Sequence, residues 1–256
     1  MKRNLLVATA AVAAALGVSA CSYNQALGRN QLLLVNSSSL ATAANAAWAQ
    51  TLATSRVSQD AAANARVRNV ALKVVQAAGM NPAGWQVAVF QDSQPNAFAL
   101  PGGKIGVNTG LLALVQNDDQ LAAIIGHEVA HSAANHAAER MSQQAATQLG
   151  LGVASSALGG ALGGAERARQ IASLGSAGAQ LGVLLPFSRQ HELEADRLGV
   201  DYMQRAGYDP RQAVVLWERM AAQQNRASRA EWMSTHPSDS TRIAQLRQYI
   251  ASRGWA

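Results

Sequence analysis

From about Leu40 to Ala78 apolar residues recur three and four apart, with Val67, Val70, Leu72 and Val74–Val75 the clearest run, and the spacing predicts a helix. Gly79 and Pro82 stand where a helix end wants them. The texture then changes. Residues 85–90 alternate and predict a strand; 96–100 and 104–109 predict two more, separated by the turn Pro101-Gly102-Gly103. A small antiparallel sheet is expected. Leu111 to Val115 reads as a short helix, stopped and restarted at Asn117–Gln120, whose spacing is that of a capping box. Leu121 to about Met141 then reads as one strong helix. Residues 189–206, 210–224 and 241–252 complete the helices. Helix, small sheet, then helices make an α+β domain, mostly helical. Residues 22–38 have no period, broken by Asn24, Gln25, Gly28, Asn30 and Ser37–Ser39, and read as a tether.

Two uncharged stretches, 149–165 and 171–187, are rich in Gly and flank Glu166, Arg167 and Arg169. They leave four readings open: closely packed small-residue helices, a mobile flap, contact with a lipid surface, or a transmembrane hairpin at the short end of spanning length. Composition favours helix: 49% of residues are hydrophobic, yet only 5% are aromatic, and the apolar share is mostly alanine. The formal charge is +6. Its Lys and Arg are scattered rather than striped, which argues against nucleic acid; a solvated surface that happens to be basic is the plain reading, and a surface facing anionic lipid or envelope polymer the alternative.

The N-terminus carries a different signal. Lys2 and Arg3 precede an apolar run from Leu5 to Leu16, and small residues lead into Cys21. That is the layout of a secretory signal peptide over 1–20. Cys21 is the only cysteine, so no intramolecular disulfide is possible. Val18-Ser19-Ala20-Cys21 resembles a bacterial lipobox, which implies a lipidated Cys21 at the start of the mature chain and a tether over 21–39. Ser22, rather than Asp, implies the outer membrane, with the domain of residues 40–256 in the periplasm.

The chemistry centres on His127-Glu128-Val129-Ala130-His131. Residues four apart share a helix face, so both imidazoles can aim one nitrogen at a single ion. Glu128, about 100° further round the helix, can reach a metal-bound water as general base. Imidazole and carboxylate donors suit one Zn2+ with an open position. Gly126, just before His127, would let another backbone pass close. The third ligand is Glu192, in His191-Glu192-Leu193-Glu194-Ala195-Asp196, with Glu194 a weaker alternative. Asp196, one turn on, can accept the far N–H of a ligand histidine. His136 and His191 read as structural.

These stretches, with Asn96–Gly103 leading to Thr109–Leu112, Ser188–Asp196, and Thr235-His236-Pro237 followed by Arg242, resemble the gluzincin metalloendopeptidases related to the CAAX prenyl protease, above all their periplasmic lipoprotein branch. The likeness covers about residues 60–250. It implies a zincin-like fold and hydrolysis of peptide bonds, with misfolded or misassembled envelope proteins as substrates and outer-membrane assembly machinery as a partner. It implies that Asn96, Ala97, Phe98 and Ala99 form an edge strand on which a substrate lies. It implies that His236 stands near the zinc, either stabilising the oxyanion or filling the open position, with an ordinary turn as the plain reading. Arg242 would tie that loop to the ligand helix. A chaperone-like module for outer-membrane proteins, with a latent peptidase site, is the alternative function.

Overall fold

The computed structural model describes residues 21–157, 187–223, 235–236 and 240–255. The signal-peptide stretch 1–20 and most of the Gly-rich segment, 158–186, lie outside the described residues, as does Pro237. The elements are β1 (Cys21–Asn24), β2 (Arg29–Leu32), α1 (Ser37–Thr54), α2 (Ala61–Ala77), β3 (Gln86–Phe90), β4 (Ala97–Leu100), β5 (Lys104–Asn108), α3 (Thr109–Leu114), α4 (Asp118–Ala133), α5 (His136–Ala157), α6 (Arg189–Arg205), α7 (Arg211–Gln223) and α8 (Ser240–Ser252). The mostly helical α+β architecture is as expected.

Four local expectations are corrected. Residues 22–38 are not a loose tether: β1 and β2 pair in an antiparallel hairpin, and α1 starts at Ser37. The hairpin is fastened to the domain, with Asn24 Nδ2 donating to the Ala133 carbonyl at 3.3 Å and Gln31 Nε2 to that of Ala134 at 2.7 Å. The long helix over 40–78 is two helices. Between them Ser58 N–H donates to the Val89 carbonyl, and Asp60 caps α2 by accepting from the Ala62 and Ala63 N–H groups. The three-stranded sheet is mixed, not antiparallel. Its order is β3-β5-β4, with β5 parallel to β3 and antiparallel to β4. β5, the central strand, is buried along its whole length, and β4 is an edge. Finally, the helix expected over 121–141 breaks after Ala133. Asn135 takes φ 53°, a left-handed value that Asn tolerates well, and α5 begins at His136.

The core lies between α2, α4, α6 and α7 and one face of the sheet, with Val67, Val74, Ile105, Leu121, Ile124, Met203 and Leu216 fully buried. The other sheet face is covered by α1, where Trp48 meets Phe90 and Phe98 edge-on. Among the described residues, α4 and α6 make the most extensive contact of any two elements. A Cβ added at Gly126 would stand 2.8 Å from the Gly199 carbonyl oxygen, and one at Gly199 would stand 3.0 Å from His127 N. Two glycines thus let the two backbones touch beside the HExxH motif, as the reading of Gly126 anticipated. No described helix is long and apolar enough to cross a membrane.

Candidate metal centre

α4 presents His127 and His131 one turn apart, and α6 presents Glu192 and Asp196 one turn apart across the glycine contact. His127, His131, Glu192 and His236 each offer a donor atom, and these four atoms lie within 4.8 Å of one another. All four residues are buried. The structure therefore brings together the three residues expected as ligands and adds His236 to them. His236 Nδ1 is 2.9 Å from Glu192 Oε1 and 3.2 Å from His127 Nε2. Its Nε2 is 3.3 Å from Glu128 Oε1. Glu128 also accepts a 3.2 Å hydrogen bond at Oε2 from the Ala99 N–H of the edge strand β4.

Behind the donors lies a second set of partners. Asp196 Oδ1 is 3.0 Å from His127 Nδ1 and also accepts from Trp217 Nε1 at 3.3 Å. Arg242 spans both acids: Nη1 lies 2.6 Å from Glu192 Oε2, Nη2 2.7 Å from Asp196 Oδ1, and Nε donates to Asp196 Oδ2 at 2.8 Å. Burial alone would raise both carboxyls. Electrostatic attraction to their neighbours reverses this, with His236 foremost at Glu192 and the Arg242 guanidinium foremost at Asp196, and both are held below the ordinary carboxylate range. His131 is pushed well below its ordinary value by burial. At His127 burial is outweighed by Asp196 and Glu192, which hold its imidazolium up to a pKa of about 9.

The donor set fits a divalent metal. His127 Nδ1 is committed to Asp196, and His131 Nδ1 faces His136 Nδ1 at 2.9 Å. Their Nε2 atoms face each other at 3.1 Å. One proton between them satisfies the pair; a cation accepting both lone pairs takes its place, so metal uptake releases a proton. Glu192 supplies the anionic oxygen beside them.

Several contacting residues were not singled out in the sequence. Phe187 stacks on His131, with ring centroids 4.0 Å apart, and its N–H donates to the Thr235 carbonyl at 3.2 Å, joining the end of the Gly-rich segment to the His236 loop. The Arg140 guanidinium lies 4.3 Å from the Phe187 ring centroid. His136, read as structural, touches His131 directly. Nothing local marks Phe187 or Arg140. His136 had one legible sign: a left-handed Asn135 between the helices can fold a histidine five positions on back beneath His131.

The model of peptidase family M48 matches residues 61–250. The chain belongs to that family. It is 37% identical over 191 residues to the Mitochondrial metalloendopeptidase OMA1 of Schizosaccharomyces pombe, covering 72% of this chain and 52% of that one. The protein of the same name from Saccharomyces cerevisiae is 32% identical over 207 residues, covering 72% and 55%. The Beta-barrel assembly-enhancing protease of Escherichia coli is 28% identical over 183 residues, covering 71% and 37%. The chain thus spans about half the length of the first two relatives.

Proposed function

We propose that the protein is a zinc-dependent metalloendopeptidase of the bacterial cell envelope that cuts misfolded or misassembled envelope proteins. One observation carries this reading: His127, His131 and Glu192 converge, with Glu128 between them and the edge strand β4. His127, His131 and Glu192 would hold one Zn2+. When bound, zinc supplies a Lewis acid for the scissile carbonyl and acidifies a water. Glu128 takes the water's proton on its carboxylate and hands it to the leaving nitrogen. Backbone groups of Asn96–Ala99 pair with an extended substrate, giving affinity with little sequence preference. His236 Nε2, next to Glu128, can donate to the developing oxyanion.

The location rests on the leader. A short basic start, an apolar run and Val18-Ser19-Ala20-Cys21 suit a secreted bacterial lipoprotein. They do not suit a mitochondrial transit peptide, which is Arg-rich and amphipathic. The hairpin starts at an exposed Cys21, so lipid there would hold the domain close to the periplasmic face of the outer membrane. The name of the Escherichia coli relative supports a link with β-barrel assembly machinery.

A second reading has its own observation. His236 is buried among the donor atoms and within reach of Glu128, as it would be if it filled the open position and kept the peptidase silent while the protein acted as a chaperone. Casein cleavage by wild type and Glu128→Gln, each with measured zinc, separates the two. Active wild type with a variant slower by roughly 10²–10⁴-fold at equal zinc supports the peptidase. Zinc in both with cleavage in neither supports the latent form. Equal cleavage by both removes Glu128 from the mechanism.

A further inference from the structure

The expected ligands leave a buried polar cluster behind His131 without a role. Glu194 Oε2 lies 3.0 Å from His136 Nε2, and His136 Nδ1 lies 2.9 Å from His131 Nδ1. Arg29, on β2, holds Glu194 with Nε at 2.7 Å and Nη2 at 2.8 Å. The same guanidinium holds Glu139 of α5 with Nη1 at 2.7 Å and Nη2 at 2.9 Å. Gln31 Nε2 adds a 2.6 Å bond to Glu139, and Gln190 Nε2 a 3.0 Å bond to Glu194.

Proton assignment along this line has one consistent solution. A carboxylate only accepts, so His136 Nε2 carries the proton of its bond to Glu194. In the tautomer that donates from Nε2, His136 Nδ1 is bare and accepts from His131 Nδ1–H, 2.9 Å away. His131 then keeps its lone pair on Nε2, the atom facing His127 and Glu192. Any other arrangement puts a proton on that atom or sets two lone pairs against each other.

We propose that the line Arg29–Glu194–His136 positions His131 as a metal ligand, so that the hairpin just after Cys21 is part of the support of the metal site. The proposal rests on the metal-centre reading above. A ligand histidine bonded at its far nitrogen is fixed in both tautomer and ring orientation. What is particular here is the length of the line, which runs through a second histidine and an acid to an arginine 165 positions from that acid in the chain. Arg29 clamps α5 to α6 through one acid on each, so its loss frees the Glu194 carboxylate to turn away from His136.

The test compares the full chain with His136→Phe, His136→Gln, Arg29→Met and Arg29→Lys variants. Two quantities are read: Zn2+ affinity, by competition with a chromophoric chelator, and the visible spectrum of the Co2+-loaded protein. His136→Phe and Arg29→Met are expected to weaken Zn2+ binding by about 10–100-fold and to alter the Co2+ spectrum. Gln at 136 and Lys at 29 should each restore part of the affinity, since each keeps one bond of the line. If His136→Phe does not fold, Arg29→Met decides the matter, because that side chain is a quarter exposed. Unchanged affinity and spectrum in Arg29→Met, with only a lower melting temperature of the metal-free form, overturns the proposal. Failure of the unchanged protein to take up Zn2+ overturns the metal reading as well.

Discussion

At the scale of single residues, the site depends on how buried charges are balanced. Arg242 is almost fully buried and faces both Glu192 and Asp196. Arg242→Met leaves two carboxylates of low pKa without their shared cation. Removing one partner of a buried pair costs about 3–5 kcal/mol, and the expected loss of that size in urea unfolding of the metal-free protein checks the assignment. An unchanged midpoint would mean that other groups neutralise these acids. The expected ligands and the acid behind them were legible because each pair lies one helical turn apart: His127 with His131, Glu192 with Asp196. His236 and Arg242 were legible only through likeness to a family, since a histidine before a proline has no chemistry of its own. Glu194 was legible only as a weaker alternative ligand and Arg29 not at all, because the acids that Arg29 holds lie more than a hundred positions away.

At the scale of elements, regular periodicity was read well and interruptions poorly. β3, β4, β5 and the three C-terminal helices fall within a few residues of their expected bounds. The breaks at Ser55–Asp60 and Ala134–Asn135 were missed because an alanine-rich sequence continues helical through both; a cap and a left-handed Asn decide the matter. The parallel pairing of β3 with β5 was missed because sequence neighbours suggest hairpins, and only burial of β5 on both faces shows it to be central. The hairpin at 21–32 lacks alternation altogether, since polar bonds from Asn24, Arg29 and Gln31 hold it in place of an apolar face. The α4–α6 glycine contact yields a prediction at this scale. Gly126→Ala puts a Cβ 2.8 Å from a backbone oxygen, which must separate the two ligand-bearing helices. A loss of about 1–3 kcal/mol in unfolding is expected, together with weaker metal binding. A variant as stable as wild type, with unaltered zinc affinity, would show that the helices can part without disturbing the site.

At the scale of the molecule, stability without metal should depend on pH in two opposed ways. Glu139, Glu194 and Asp196 are held below their ordinary values of 4.5 and 3.8 because nearby cations outweigh the cost of burial. Their contribution is present above those values and is lost as pH falls through the folded ones. His127 is held above 6.5, so its contribution is present below 6.5 and is lost as pH rises through about 9. Burial holds His131, His136 and His191 below 6.5, so their cost to stability is relieved as pH rises through 6.5, and urea midpoints of the metal-free chain should therefore peak at about pH 7 and fall on both sides. A midpoint still rising between neutrality and pH 9 would contradict the His127 assignment. The central claim is that His127, His131 and Glu192 form one metal site, and metal content tests it most directly. Elemental analysis of wild type, Glu128→Gln and Glu192→Ala, purified identically and dialysed against zinc-free buffer, should find one zinc per chain in the first two and little in the third. No zinc in wild type, or equal zinc in Glu192→Ala, would contradict the account.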